Sequence, residues 1–149
     1  MEPLKLVALD GQDLAVLSAH VQDAVVRARD LVYLPRERRF ALELRRYDWQ
    51  TMPGEPPRRR LSALHFERVM AARTRAVAPR DPDAVLSLLA VTFDERDAPG
   101  GTVTLHFSGG GAIALDVECI EAQLMDLGPA WEAIGRPHHP LDENDERQA

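Results

Sequence analysis

Apolar and polar residues alternate most cleanly over residues 101–117. Val103, Leu105 and Phe107 alternate with Thr102, Thr104, His106 and Ser108, and Ile113, Leu115 and Val117 alternate with Ala112, Ala114, Asp116 and Glu118. A period of two predicts two strands, each with one buried and one wet face. Three glycines, 109–111, separate them, and glycine takes positive φ without a Cβ clash. Parity selects the loop. A two-residue loop at Gly109-Gly110 would oppose Phe107 to Ala112 and split the apolar sets between faces. A three-residue loop over 109–111 opposes Phe107 to Ile113, keeps the sets together, and ends on a left-handed residue. Beyond Val117 the spacing changes. Ile120, Leu124, Leu127 and Trp131 recur at intervals of four, three and four, which predicts an amphipathic C-terminal helix. Gly128-Pro129 supplies its stop signal.

The rest of the chain reads in the same way. Residues 4–8 form a short apolar run, an edge strand. Asp10 is a helix N-cap with Asp13 in a capping-box position, and Leu14, Leu17 and Val21 mark about three helical turns. Residues 25–34 are strand-like with a break near Arg29-Asp30. A turn over 35–38 leads to Phe40, Leu42 and Leu44, the inner face of the next strand. Tyr47 and Trp49 are out of phase by one, and a bulge near Arg45-Arg46 would return them to that face. Residues 50–58, with three prolines and a glycine, are a loop. Residues 61–77 read as a bent strand or two short ones, and 78–83 as a turn. Residues 85–93 are apolar on both faces, which predicts the most buried strand, with a helix as the rival for its first half, and 94–101 form another loop. The tail from residue 137 is polar and acidic and is expected to be disordered.

This order gives an α+β fold: an N-terminal helix, about six antiparallel strands and a C-terminal helix. Short loops suit a meander curled into a pleckstrin-homology-like (PH-like) roll, with the last helix closing one end. An open antiparallel sheet with both helices on one face is the alternative. Residues 1–136 are read as one domain. The chain has 149 residues, the size of an ordinary single domain. One cysteine, Cys119, excludes an intrachain disulfide and a cysteine-rich zinc site. No signal peptide is expected, no apolar run is long enough to span a membrane, and the expected location is the cytoplasm.

The net charge of -6 is unevenly spread. Residues 27–80 hold 14 of the 17 arginines against six acids. Such polarity can mark an anionic or protein partner, or only a solvated face. Arg58, Arg59 and Arg60 form the one run that stands out, since adjacent guanidiniums can grip phosphate or carboxylate groups. Tyr47 and Trp49 lie just before the loop and could add stacking. The overall acidity argues against a nucleic-acid partner.

No catalytic constellation emerges. His65 and His106 fall on strands as candidate general bases, but neither has a recognisable nucleophile or local partner pattern. Asp116 and Glu118 alternate onto one face near Thr102 and Thr104. His138, His139, Asp142 and Glu143 offer weak metal-ligand types in the tail. Residues 108–111 (SGGG) lack the lysine and the strand–loop–helix context of a phosphate loop, so they read as a turn. No cofactor is implied. The expectation is a small non-enzymatic binding module. The alternatives are a small-ligand protein or enzyme using a strand histidine, favoured by a pocket that holds histidine beside a carboxylate, and a nucleic-acid binder.

Four segments carry a family resemblance: LKLVALDGQDLAVLSAHVQDAVV from Leu4, YLPRERRFAL from Tyr33, DAVLSLLAV from Asp83, and GGGAIALDVECIEAQLMDLGPAW from Gly109. Through these the chain resembles an uncharacterised, mainly alphaproteobacterial family, the domain of unknown function 2948. The resemblance implies a bacterial cytoplasmic protein and supplies no activity, cofactor or catalytic residue.

Overall fold

A computed structural model describes residues 3–49, 53–77, 81–128 and 131–132. The acidic tail and its histidines lie outside the described residues. Among the described residues, eleven strands and one α-helix follow in the order β1 (Lys5–Ala8), α1 (Gly11–Val21), β2 (Ala24–Arg27), a 3-10 turn (Ala28–Asp30), β3 (Leu31–Leu34), β4 (Arg39–Tyr47), β5 (Arg58–Phe66), β6 (Val69–Arg75), β7 (Val85–Glu95), β8 (Gly101–Phe107), a second 3-10 turn (Ser108–Gly110), β9 (Ala112–Val117), β10 (Ala122–Asp126) and β11 (Trp131–Glu132).

The strands form one antiparallel sheet with the path β1-β10-β5-β4-β2-β7-β8-β9-β6; β11 also pairs β5, and β3 also pairs β4. The path curls. Val69, which opens its last strand, donates its N–H to Arg38 O just before β4, at 2.9 Å. Both halves of the path feed one apolar core, which includes Leu42, Leu64 and Leu124 from one half and Leu105, Ile113 and Leu115 from the other. Leu14, Leu17 and Val21 of α1 enter the same core, and α1 touches β1, β4 and β7.

The start of α1 follows its sequence signals. Asp10 caps the Asp13 N–H at 2.8 Å, and the Asp13 carboxylate reaches back to the Leu9 N–H at 3.0 Å. Along the helix, Ser18 Oγ accepts from the Val91 N–H at 2.9 Å, which ties α1 to β7 next to a register shift between Leu88 and Ala90.

Several expectations are corrected. The predicted C-terminal helix is a strand, so the α+β plan of two helices and about six strands gives way to a large antiparallel sheet with a single helix among the described residues. The PH-like roll closed by a last helix does not hold, and neither does the open sheet with two helices on one face. Ile120 and Leu124 are four apart, a spacing that fits a helix and a strand alike. The pairings Ala122↔Phe66 and Leu124↔Leu64 settle the matter, because β10 fills the gap between β1 and β5. Leu127, expected to be buried, is 45% exposed.

No bulge interrupts β4, whose register with β5 runs unbroken from Phe40↔Phe66 to Tyr47↔Arg59. Arg46, not Tyr47, continues the inner face of Leu42 and Leu44. The strand over residues 85–93 is not the most buried, since Val85 and Leu89 are exposed. The glycine hairpin keeps its predicted parity with a loop shifted by one residue. Ser108–Gly110 forms it, Leu105 opposes Ile113, and Gly109 and Gly110 take φ of 80° and 85°. The long segment after residue 60 resolves into β5 and β6. Arg68 at φ 60° turns the chain from one half of the sheet into the other, which is why Val69 is out of phase.

Candidate functional site

The arginine run that stood out in the sequence does not form an open basic face. β5 is paired on both edges, so consecutive residues point to opposite, covered sides. Arg59 and Arg60 are each 3% exposed. Arg59 Nη1 donates to the Asp23 and Arg45 carbonyls at 3.2 and 3.1 Å and lies over the Tyr47 ring at 5.9 Å. Tyr47 is buried against Trp49, with ring centroids 4.5 Å apart, and the partly exposed Trp49 donates Nε1–H to Gln22 O. Arg58 pairs with Glu55 at 3.1 Å.

Arg60 instead joins a buried charge network that the sequence reading missed. Arg46 gives Asp126 two parallel hydrogen bonds, Nε to Oδ1 at 2.8 Å and Nη2 to Oδ2 at 2.9 Å. Ser62 Oγ and the Leu4 N–H also donate to Asp126, at 2.6 and 2.7 Å. Arg60 Nε lies 3.4 Å from Asp48 and 3.8 Å from Asp126. Burial alone would raise the Asp126 pKa, but these donors outweigh it and hold the carboxyl below its ordinary value. His20, in the last turn of α1, borders the network. Its pKa is lowered by burial first and by the Arg46 charge second. Register could have revealed the cluster. Arg46 is in phase with Leu44, Ser62 with Leu64, and Asp126 with Leu124, so each is a polar residue in an apolar row. The network is sealed and its ions face one another, which suits a role in fixing the fold.

An accessible cavity of about 300 Å³ lies on the outer face of the same sheet. Strand alternation places Ala41 and Glu43 of β4 and Ala63 and His65 of β5 on that face, with the register Ala41↔His65 and Glu43↔Ala63. Val32 of β3, paired with Ala41, and Asp30 before it complete one wall. The depression has a simple cause. Two alanines sit diagonally across the β4–β5 pair among longer neighbours, so the sheet surface dips where their side chains end.

His65 stands at this cavity and is held from behind. Its Nδ1 lies 2.7 Å from Glu67 Oε2, and the same oxygen accepts from Arg39 Nε at 2.8 Å. A carboxylate only accepts, so Nδ1 carries the donated proton, and in the neutral form of the ring Nε2 is left as an acceptor. Of these residues only His65 stands out in the sequence. The signal for Glu67 was present, because residues two apart on a strand share a face. Arg39 required the β4–β5 register, which sets Phe40 opposite Phe66 and so brings Arg39 next to Glu67.

The other sequence candidates are not brought together. His106 Nε2 meets Thr92 Oγ1 at 2.8 Å on an exposed face. Asp116 and Glu118 do not form a carboxylate pair. Asp116 is held by Arg73 and Thr102, and its pKa is lowered chiefly by the Arg73 hydrogen bond, while Glu118 pairs with Arg38. Among the described residues no three His, Cys, Asp or Glu side chains are placed to hold a metal ion, and no helix is long and apolar enough to cross a membrane. No curated protein and no solved structure matches the chain significantly. A family model, described as protein of unknown function (DUF2948), matches residues 4–139, and the chain therefore belongs to the DUF2948 family.

Proposed function

We propose that this protein is a small-ligand-binding module, acting in the cytoplasm, whose site is the outer-face cavity at His65. One observation carries the reading: an open cavity holds a histidine whose far nitrogen is fixed by a carboxylate, itself clamped by an arginine. Such a relay fixes ring orientation and tautomer, which is what a ligand-reading histidine needs. The volume lies at the small end of ligand pockets, roughly 300–1,000 Å³. Among the described residues that line the cavity there is no Ser, Thr or Cys, which favours binding over nucleophilic catalysis. The anion grip expected at Arg58, Arg59 and Arg60 is not used in this reading, because burial of Arg59 and Arg60 leaves a surface anion little to touch.

The test is a fragment screen by ¹⁵N-resolved NMR on the wild-type protein and on Ala63→Leu, which fills the depression from its floor. Binding shifts should cluster on the amides of Ala41, Ala63 and His65 and vanish in Ala63→Leu, with the melting temperature of that variant little changed. Hits that map elsewhere, or that survive the filled pocket, would refute the proposal.

A further inference from the structure

We infer that the ligand of the His65 pocket is a small organic amine, bound through its ammonium group on an apolar body. The inference rests on the pocket reading above and names its ligand chemistry. The charge of Glu67 is already shared between His65 and Arg39, and Arg39 Nε is turned toward it. Two carboxylates that line the cavity, Asp30 and Glu43, are in a different position. Neither carboxylate has a hydrogen-bond or ion-pair partner among the described residues. With Nδ1–H directed at Glu67, the neutral form of the His65 ring adds an acceptor at Nε2.

The walls therefore offer acceptors and a surplus of negative charge, while Ala41, Ala63 and Val32 offer an apolar surface. A primary ammonium is the complement: a cation with three N–H donors. Its hydrogen bonds to carboxylates are charge-assisted and stronger than neutral ones. A carboxylate or phosphate ligand would meet Arg39 only in the company of two like charges. A metal ion would need three ligands converging on one point, and the described residues contain no such group; an ammonium needs only one or two of these acceptors and can give its remaining N–H to water. The cavity volume limits the apolar body to about the size of one ring.

The experiment compares phenethylamine, 2-phenylethanol and 3-phenylpropionate, which share a body and differ in head group. Each is titrated into ¹⁵N-labelled protein at low salt. The amine should bind about tenfold more tightly than the alcohol, a difference of about 1.4 kcal/mol, and the carboxylate should bind more weakly still. Asp30→Asn and Glu43→Gln should each weaken the amine severalfold and leave the alcohol unchanged. Both sites are on the surface, so thermal melts should show intact folding. An α-blocked lysine serves as a further arm. If it binds more tightly than phenethylamine, the ammonium chemistry stands and its source is a protein side chain. If the alcohol or carboxylate binds as tightly as the amine, or the two variants leave amine affinity unchanged, the amine assignment falls while the pocket stands. If none of the probes moves the pocket amides, the pocket reading falls with it.

Discussion

Replacing Asp126 with alanine should cost this fold more than the loss of any surface ion pair. Four donors converge on this carboxylate within 2.9 Å, two of them from Arg46, whose side chain is only 2% exposed. Alanine removes the acceptor and leaves the guanidinium buried without its counter-charge, with Arg60 losing its 3.8 Å contact as well. Single hydrogen bonds to charged groups contribute about 1.5–3 kcal/mol and do not add. Removing one partner of a buried pair costs about 3–5 kcal/mol. Against a total of about 5–15 kcal/mol, that is a large share of the stability, and for a chain of this length it lowers Tm by about 10 °C or more. Urea unfolding followed by tryptophan fluorescence measures it, with the m value as a check that only stability has changed. Asp126→Asn, which keeps the shape and loses the charge, should fall between wild type and alanine. The double variant Arg46→Met with Asp126→Leu should recover much of the loss, because replacing a buried pair by apolar residues is often near neutral. An Asp126→Ala protein within about 1 kcal/mol of wild type would refute the argument, since the penalty for an uncompensated buried charge would then be missing.

Two pH effects and one steric effect follow from the same geometry. The folded pKa of Asp126 is depressed, so its contribution is present above the unfolded value and is lost as pH falls below about 4; this acid loss should be blunted in Asp126→Asn. The folded pKa of His20 is also depressed, so stability should begin to fall as pH drops below about 6.5, where the unfolded chain takes the proton first. Thermal melts between pH 5 and 8 should show that fall in wild type and a flatter profile in His20→Gln. At the start of β8, a Cβ on Gly101 would lie 2.3 Å from Asp94 O and 2.8 Å from the Phe93 ring. Gly101→Ala should therefore destabilise by about 1–3 kcal/mol in urea melts, and an unchanged midpoint would contradict the close packing of the β7–β8 turn.

Local signals settled what local physics controls. The Asp10 cap and the Leu14, Leu17 and Val21 stripe placed α1, because a capped amphipathic helix is written in residues three and four apart. Alternation placed β8 and β9 and put their apolar sets on one face. It left the loop shifted by one residue, because parity fixes the face and not which glycines turn. His65 could be read as a candidate from its type and strand position alone.

The rest depended on which strands meet. Ile120 and Leu124 suit either a helix or a strand, and only the space between β1 and β5, with its unpaired backbone groups on both sides, makes the segment a strand. Arg46, Arg60, Ser62 and Asp126 read as water-facing polar residues until pairing stacks them in adjacent rows, where the other three gather around the Asp126 carboxylate. A sequence records each charge but not its partner 60–80 residues away. Glu67, Arg39 and the diagonal neighbours Ala41 and Ala63 likewise come together at a pocket only through the β4–β5 register. The sequence by itself thus determined the period and polarity of each segment, because these depend on near neighbours. Tertiary structure decided which polar residues were buried, because burial depends on what the rest of the chain brings to the other side.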